Sequence, residues 1–332
     1  MTDDGEPRLD GSVVLQAITE MMLGEQPHLT RAEVSELSGV DSDVARLQWR
    51  ALGFPEADDD DVAFTQADVE ALKVTQELIA LGIIEPDTEQ PIIRTIGRSF
   101  ARLADWQVRA FLGAVTSGSQ DNLEAGDLAE LEKVIPLGER VQSYAWRRHL
   151  VNAASRLLLT ESEDVEETPR CVGFADIVGY TSLSRKLTRQ ELTDMVERFE
   201  EVTAGLITDH HGHVVKTIGD EVLFVVDDPK EAALLALALL DEHEADDTFP
   251  AVRIGLAHGN IVNHMGDVFG PVVNVASRLT SLARPASALV DRAMADELRD
   301  DDELRLKPLR RTSVKGYEHL QPWSLKWSRD QD

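Results

Sequence analysis

Cys171-Val172-Gly173-Phe174-Ala175-Asp176-Ile177-Val178-Gly179-Tyr180-Thr181 reads as an apolar strand that ends on a carboxylate and then turns at a glycine. Val214-Val215-Lys216-Thr217-Ile218-Gly219-Asp220-Glu221-Val222-Leu223-Phe224 repeats the theme as two short apolar runs joined at Gly219-Asp220, a hairpin with an aspartate at its turn. A carboxylate held where a strand ends, beside a glycine that lets backbone approach a ligand, suits a hard cation bridging phosphate oxygens. Two of them suit a two-metal phosphoryl-transfer site. Taken singly, either segment is also an ordinary Gly-Asp turn. The rest of the chain decides between the readings.

Working outward, a helix is expected over roughly Leu187 to His210 and another from Pro229 to Glu244. Val252-Arg253-Ile254-Gly255-Leu256-Ala257-His258-Gly259 reads as a strand, followed by a glycine-rich turn and a helix beginning near Val272. Strand, helix, hairpin, helix, strand is the order of an α+β domain of the ferredoxin-like, split βαβ kind, an antiparallel sheet with helices on one face.

Upstream, Glu161-Ser162-Glu163-Asp164-Val165-Glu166-Glu167-Thr168-Pro169 cannot supply core, and its proline stops a helix. Residues 161–170 are therefore read as an acidic linker, residues 171–332 as the sheet domain and residues 1–160 as an all-helical domain. In the helical part, apolar residues recur at three- and four-residue spacing through Val69, Leu72, Leu78 and Leu81, and again from Phe100 to Leu112. Gly53, Pro55, Gly82, Pro86 and Gly118 punctuate what read as short helices. A longer connecting helix is expected from about Leu131 to Leu159, interrupted near Pro136.

The composition narrows the partners. With 332 residues, 42% of them hydrophobic, the chain can bury a large core and suits two domains. A formal charge of −28 argues against wrapping nucleic acid or lying on an anionic membrane. Cys171 is the only cysteine, which excludes an intrachain disulfide, and its place in an apolar strand reads as a small buried hydrophobe. The longest apolar run, Ala232 to Leu240, is too short to span a bilayer, and the acidic N-terminus does not resemble a secretory signal. A cytoplasmic location is expected.

Two further segments carry chemistry. In Gly266-Asp267-Val268-Phe269-Gly270-Pro271-Val272-Val273-Asn274-Val275-Ala276-Ser277-Arg278-Leu279, Asn274 and Arg278 are four apart and share one helix face. An amide and a guanidinium there can grip a ribose and a phosphoryl group gaining charge. In Ser313-Val314-Lys315-Gly316-Tyr317, a lysine before glycine can hold terminal phosphates.

Four motifs in this order resemble the signatures of the class III nucleotidyl cyclases, over the chain from about Cys171 to its end. The resemblance implies conversion of ATP to 3′,5′-cyclic AMP and pyrophosphate with two magnesium or manganese ions per site. It implies metal binding by Asp176 and Asp220 with the backbone of Ile177, and a triphosphate cradle around Phe174 and Ile177, Val178, Gly179 and Thr181. Lys216 and Asp267 match the pair that reads adenine; guanylate-specific relatives carry a glutamate and a small polar or thiol residue there. Lysine donating to adenine N1 and aspartate accepting from the exocyclic amine is consistent with that assignment. Asn274 matches the residue orienting ribose, Arg278 the transition-state arginine and Lys315 a triphosphate lysine. In this family the metal aspartates face the other set across a dimer interface, so a homodimer with two equivalent sites is implied.

Leu29 to Val40 resembles the opening of a helix-turn-helix and continues into a stretch similar to a MerR-type module, with Arg31, Arg46 and Arg50 as candidate phosphate contacts. The charge balance and the run Asp58-Asp59-Asp60-Asp61 argue against DNA, leaving a packing or sensing unit. The whole N-terminal half also resembles the soluble helical regulatory domain of a bacterial subgroup of these cyclases. That resemblance implies restraint of the catalytic half, response to pH, for which His149 is a candidate, and a fatty-acid ligand in an apolar pocket.

Overall fold

The computed structural model describes residues 10–115, 125–159, 169–264, 266–314 and 317–328. Lys315 and residues 161–168 of the acidic linker lie outside the described residues. The chain divides into two compact units, Met1–Arg156 and Leu157–Asp332.

The first unit contains α1 (Gly11–Leu23), α2 (Arg31–Ser38), α3 (Ser42–Leu52), α4 (Gln66–Ala80), α5 (Pro86–Val115) and α6 (Ala125–Leu159) up to Arg156. Sequence punctuation sets the short helices. Thr30 and Glu33 form a reciprocal capping box at the start of α2, and Gly39 and Gly53 end α2 and α3 in the left-handed conformation. Val34, Val40, Ala45, Trp49, Val69 and Leu72 form the core of this region, and the Trp49 and Phe64 rings stack with centroids 4.4 Å apart. Gly97 lets α5 lie against α3: a Cβ there would sit 2.3 Å from the Leu52 carbonyl oxygen.

Two expectations are corrected here. The helices after Pro86 are long, 30 residues in α5 and 35 in α6, and α6 runs through Pro136 without interruption. A proline removes one ladder hydrogen bond and disfavours the preceding turn. In α6 that turn is anchored by burial of Leu131 and Ile135, which offsets the loss.

The second unit is the expected α+β domain. Its elements are β1 (Pro169–Ile177), α7 (Tyr180–Leu183), α8 (Arg189–Asp209), β2 (His213–Ile218), β3 (Glu221–Val226), α9 (Pro229–Ala245), β4 (Val252–Asn260), β5 (Val262–His264), β6 (Asp267–Phe269), α10 (Pro271–Leu282), β7 (Ser287–Val290), α11 (Arg292–Glu297), β8 (Leu304–Pro308), β9 (Thr312–Val314), β10 (Tyr317–Leu320) and β11 (Trp323–Trp327). Seven strands form the main sheet in the order β2-β3-β1-β4-β7-β11-β8. The sheet is mixed rather than antiparallel throughout, because β7 joins β4 in parallel after the α10 crossover.

Helices also cover both faces, not one. Cys171, Ala175 and Ile177 of β1 pack with Leu235, Ala236 and Leu239 of α9, whereas Val172 and Phe174 pack with Val272, Ala276 and Leu279 of α10. The reason is legible in β1, which has no polar residue between Cys171 and Asp176. An unbroken apolar run is buried on both sides. Cys171 itself is fully buried, and burial, with Asp228 nearby, pushes its thiol far above the ordinary range. Among the described residues no helix is long and apolar enough to cross a membrane.

Candidate active site

β1 lies between β3 and β4, with Asp176 opposite Glu221 on one side and Arg253 on the other. The Gly219-Asp220 turn docks on the end of the same strand, where the Ile177 amide donates to the Asp220 carbonyl at 3.0 Å. Gly219 adopts φ +67°, which glycine tolerates without strain. The hairpin therefore brings the two aspartates of separate segments to one end of the sheet.

The site's electrostatics follow from crowding. Asp176 is 8% exposed, and burial raises its pKa against the pull of the Arg253 guanidinium, which donates to Oδ2. Glu221 is pushed up to about 7, first by burial and then by Asp176 and Asp220. Arg253 and Glu221 are the site residues that sequence reasoning missed. Glu221 had a signal, since it adjoins Asp220; Arg253 had none, because its contact depends on strand register.

Glu221 also sets a pH dependence. Its folded pKa exceeds the unfolded value, so the folded state binds more protons between about 4.5 and about 7, and stability falls as pH rises through that window. Glu221→Gln is expected to raise the melting temperature in chelating buffer at about pH 8, with the gain shrinking toward about pH 5. Thermal denaturation across that range checks this; a gain independent of pH would remove charge as the cause.

Immediately after Ile177 the chain turns. Val178 donates to the Ala251 carbonyl at 2.8 Å, and Gly179 at φ +70° opens α7, with Thr181 exposed. The first N–H groups of such a turn have no intrahelical acceptor. The side chains of Phe174 and Ile177 point into the two cores, at 5% and 1% exposure, so only their backbone is available to a ligand.

Lys216 reaches the same sheet face as Asp176 through a bulge. His213 pairs with Val225 and Val214 with Phe224, but Lys216 pairs with Leu223, leaving Val215 as an extra residue. Strict alternation would turn Lys216 to the α9 side; the bulge turns it to the α10 side. There its ammonium pairs with the Asp267 carboxylate, whose second oxygen accepts from the Val268 amide at 2.9 Å.

Asn274 and Arg278 lie on α10, Asn274 exposed and Arg278 half-buried. The Arg278 Nε is buried with no hydrogen-bond partner among the described residues, an uncommon state for a guanidinium nitrogen. α10 sits directly on β4: a Cβ on Gly255 would lie 2.3 Å from the Thr280 amide nitrogen, and one on Gly259 would meet Val272 at 3.6 Å. The start of α10 is thus over Gly259, while Asp176 is opposite Arg253, six residues away along β4, about 20 Å at ~3.3 Å per residue. The predicted residues form three groups, Asp176 with Asp220, Lys216 with Asp267, and Asn274 with Arg278.

Among the described residues no three His, Cys, Asp or Glu side chains enclose a space fit for an ion. The donors on offer are two carboxylates and a backbone oxygen. Magnesium takes one or two carboxylates from a protein and completes its shell with water and substrate phosphates, so this hard-oxygen set fits magnesium or manganese arriving with a triphosphate.

Residues 163–326 match the family model for the adenylate and guanylate cyclase catalytic domain, and residues 8–140 match that for the adenylate cyclase regulatory domain. The chain is 36% identical over 327 residues to an adenylate cyclase of Glutamicibacter nicotianae, covering 93% of this chain and 81% of the relative. It is 37% identical over 281 residues to an adenylate cyclase of Streptomyces coelicolor, with 84% and 74% covered. A relative from Mycobacterium tuberculosis named a pH-sensitive adenylate cyclase is 31% identical over 312 residues, with 90% and 77% covered. With the cyclase motifs set on this sheet and relatives matching it across both units, the chain belongs to the adenylate cyclases that place a regulatory domain ahead of the catalytic one.

Proposed function

We propose that cyclic AMP is made here at two composite sites of a homodimer, each with two divalent cations, and that the N-terminal helices control their assembly. The observation that carries this reading is the Arg278 guanidinium, whose buried Nε has no hydrogen-bond partner among the described residues. In this reading a two-fold axis sets one protomer's Asn274–Arg278 face against the other's Asp176 and Asp220.

In this reading the Asp176 and Asp220 carboxylates and the Ile177 carbonyl hold the two cations. Magnesium or manganese held there would supply Lewis-acid chemistry, lowering the pKa of the 3′-hydroxyl and offsetting triphosphate charge. The Arg253 guanidinium pairs with Asp176 and offsets part of the burial that raises its pKa. The amides from Gly179 to Thr181 cradle phosphate oxygens, and Lys315 holds the terminal ones. Lys216 donates to adenine N1 and Asp267 accepts from the exocyclic amine. Asn274 orients the ribose. Arg278, with its unpartnered Nε, stabilises charge developing at the α-phosphoryl group.

Purified chain incubated with ATP or GTP and magnesium or manganese should form cyclic AMP from ATP and little product from GTP. Lys216→Glu with Asp267→Ser is expected to lower ATP turnover by about 100-fold and to lift the relative use of GTP. An ATP preference unchanged by this pair would remove them from base reading.

For control, support comes from the regulatory-domain match and from the pH-sensitive relative. His149, exposed on α6, is the side chain proposed to bias that helix. A cavity of about 590 Å³ between α5 and α6, lined by Phe100, Leu103, Trp106, Phe111 and Trp146, has the size and apolar character for one acyl chain. Activity across pH, with and without oleate, should differ between the full chain and residues 167–332. Superimposable profiles would exclude the N-terminal half from control.

A further inference from the structure

We propose that the first unit carries a binding site for a small aromatic carboxylate, between α3 and the segment 54–64, with Arg50 as its charge partner. A second cavity, of about 530 Å³, lies there. Its size falls within the range of small-molecule sites, roughly 300–1,000 Å³. The lining includes the stacked Trp49 and Phe64, with rings inclined by 26°, and the apolar side chains of Leu23, Phe54 and Pro55. Phe54 is 54% exposed beside this opening, an aromatic face in water that a planar ligand would cover.

The charged groups of the lining can be accounted for one by one. The Arg31 guanidinium pairs with Asp59 and donates to the Ala57 carbonyl. Arg46 bridges Glu56 at 3.4 Å and Asp43 at 3.3 Å. Asp61 accepts from the Asp58 amide at 2.9 Å, and Asp68 from the Thr65 amide and hydroxyl at 2.8 and 2.9 Å. That leaves Arg50, four residues after Arg46 on α3, as the lining charge whose guanidinium has no ion pair or hydrogen bond among the described residues.

One free guanidinium at the edge of an aromatic-lined cavity defines the ligand chemistry. A carboxylate takes the planar fork of Arg50, and a flat apolar body stacks on the rings. A polyanion does not fit the same place. Arg31 and Arg46, the other two candidate phosphate contacts of the helix-turn-helix reading, are already held by acids, and Asp58 to Asp61 would face the added charge.

The test is isothermal titration of the full chain with 1-naphthoate, its neutral counterpart 1-naphthalenemethanol, and decanoate. The proposal expects one naphthoate per chain at sub-millimolar affinity, with Arg50→Gln weakening it roughly 10-fold or more while the melting temperature of the free chain stays unchanged. The neutral alcohol should bind roughly 10-fold more weakly than naphthoate. Absence of naphthoate binding, equal binding by Arg50→Gln, or equal binding of the alcohol would each overturn the site. Decanoate binding more tightly than naphthoate in an Arg50-dependent manner would overturn the aromatic class.

Discussion

Asp176→Ala and Arg278→Ala chains, mixed in equal amounts, are expected to recover about a quarter of wild-type activity although each alone loses about 10³-fold. The single losses follow from chemistry. In their proposed roles, removing the carboxylate that would hold a cation, or the guanidinium aimed at developing charge, takes away stabilisation made chiefly in the transition state. The recovery follows from symmetry. Random exchange makes about half of the dimers mixed, and each mixed dimer has one site with both Asp176 and Arg278 intact and one with neither. Cyclic AMP formation should therefore rise with mixing time to a plateau while substrate affinity stays near the wild-type value. A mixture as inactive as its components, with exchange shown by differently tagged chains, would place both residues in a site formed by one chain.

Gly255→Ala should lower turnover by about 100-fold and the melting temperature by roughly 5 °C. The added methyl would lie 2.3 Å from the Thr280 nitrogen and 2.4 Å from the Ala276 carbonyl oxygen, both backbone atoms that cannot rotate away. Overpacking of this kind costs about 1–3 kcal/mol. Relief requires α10 to lift from β4, and α10 carries Asn274 and Arg278 with it. A shift of ~1 Å at reacting groups is enough for the larger kinetic effect. Gly259→Ala is the matched control, since its methyl meets Val272 at an ordinary 3.6 Å. Steady-state kinetics well below both melting temperatures separate the two effects. Normal turnover by folded Gly255→Ala would show that the seating of α10 does not position the site.

Much of this was legible in the sequence because the relevant signals are local. The β1 run to Asp176, the Gly219-Asp220 turn and the four-residue step from Asn274 to Arg278 each depend on a few adjacent residues. The rest depends on pairing between distant segments. The ion pair of Asp176 with Arg253 exists because β4 runs antiparallel to β1 in one register, which neither segment states alone. The continuity of α6 through Pro136 rests on burial of Leu131 and Ile135, a tertiary effect that overrides local propensity. The N-terminal arginines make the same point. Arg31 and Arg46 looked free for phosphate, yet the acidic segment after α3 folds back and takes them.

The bulge at Val215 stores information of another kind. Lys216 faces the α10 side of the sheet because the count of residues from Val214 to the Leu223 pairing is odd by one, not because of any neighbour's size or charge. The residue at position 216 and the face it serves are separate inheritances. A relative with the same lysine but without the extra residue would direct that lysine into the α9 packing layer, away from Asp267 and from the base it is proposed to read. On the proposed role of Lys216, base preference is a matter of parity as well as of residue type, and a single deletion in β2 would remove the base-reading lysine while every other side chain of the site stays in place.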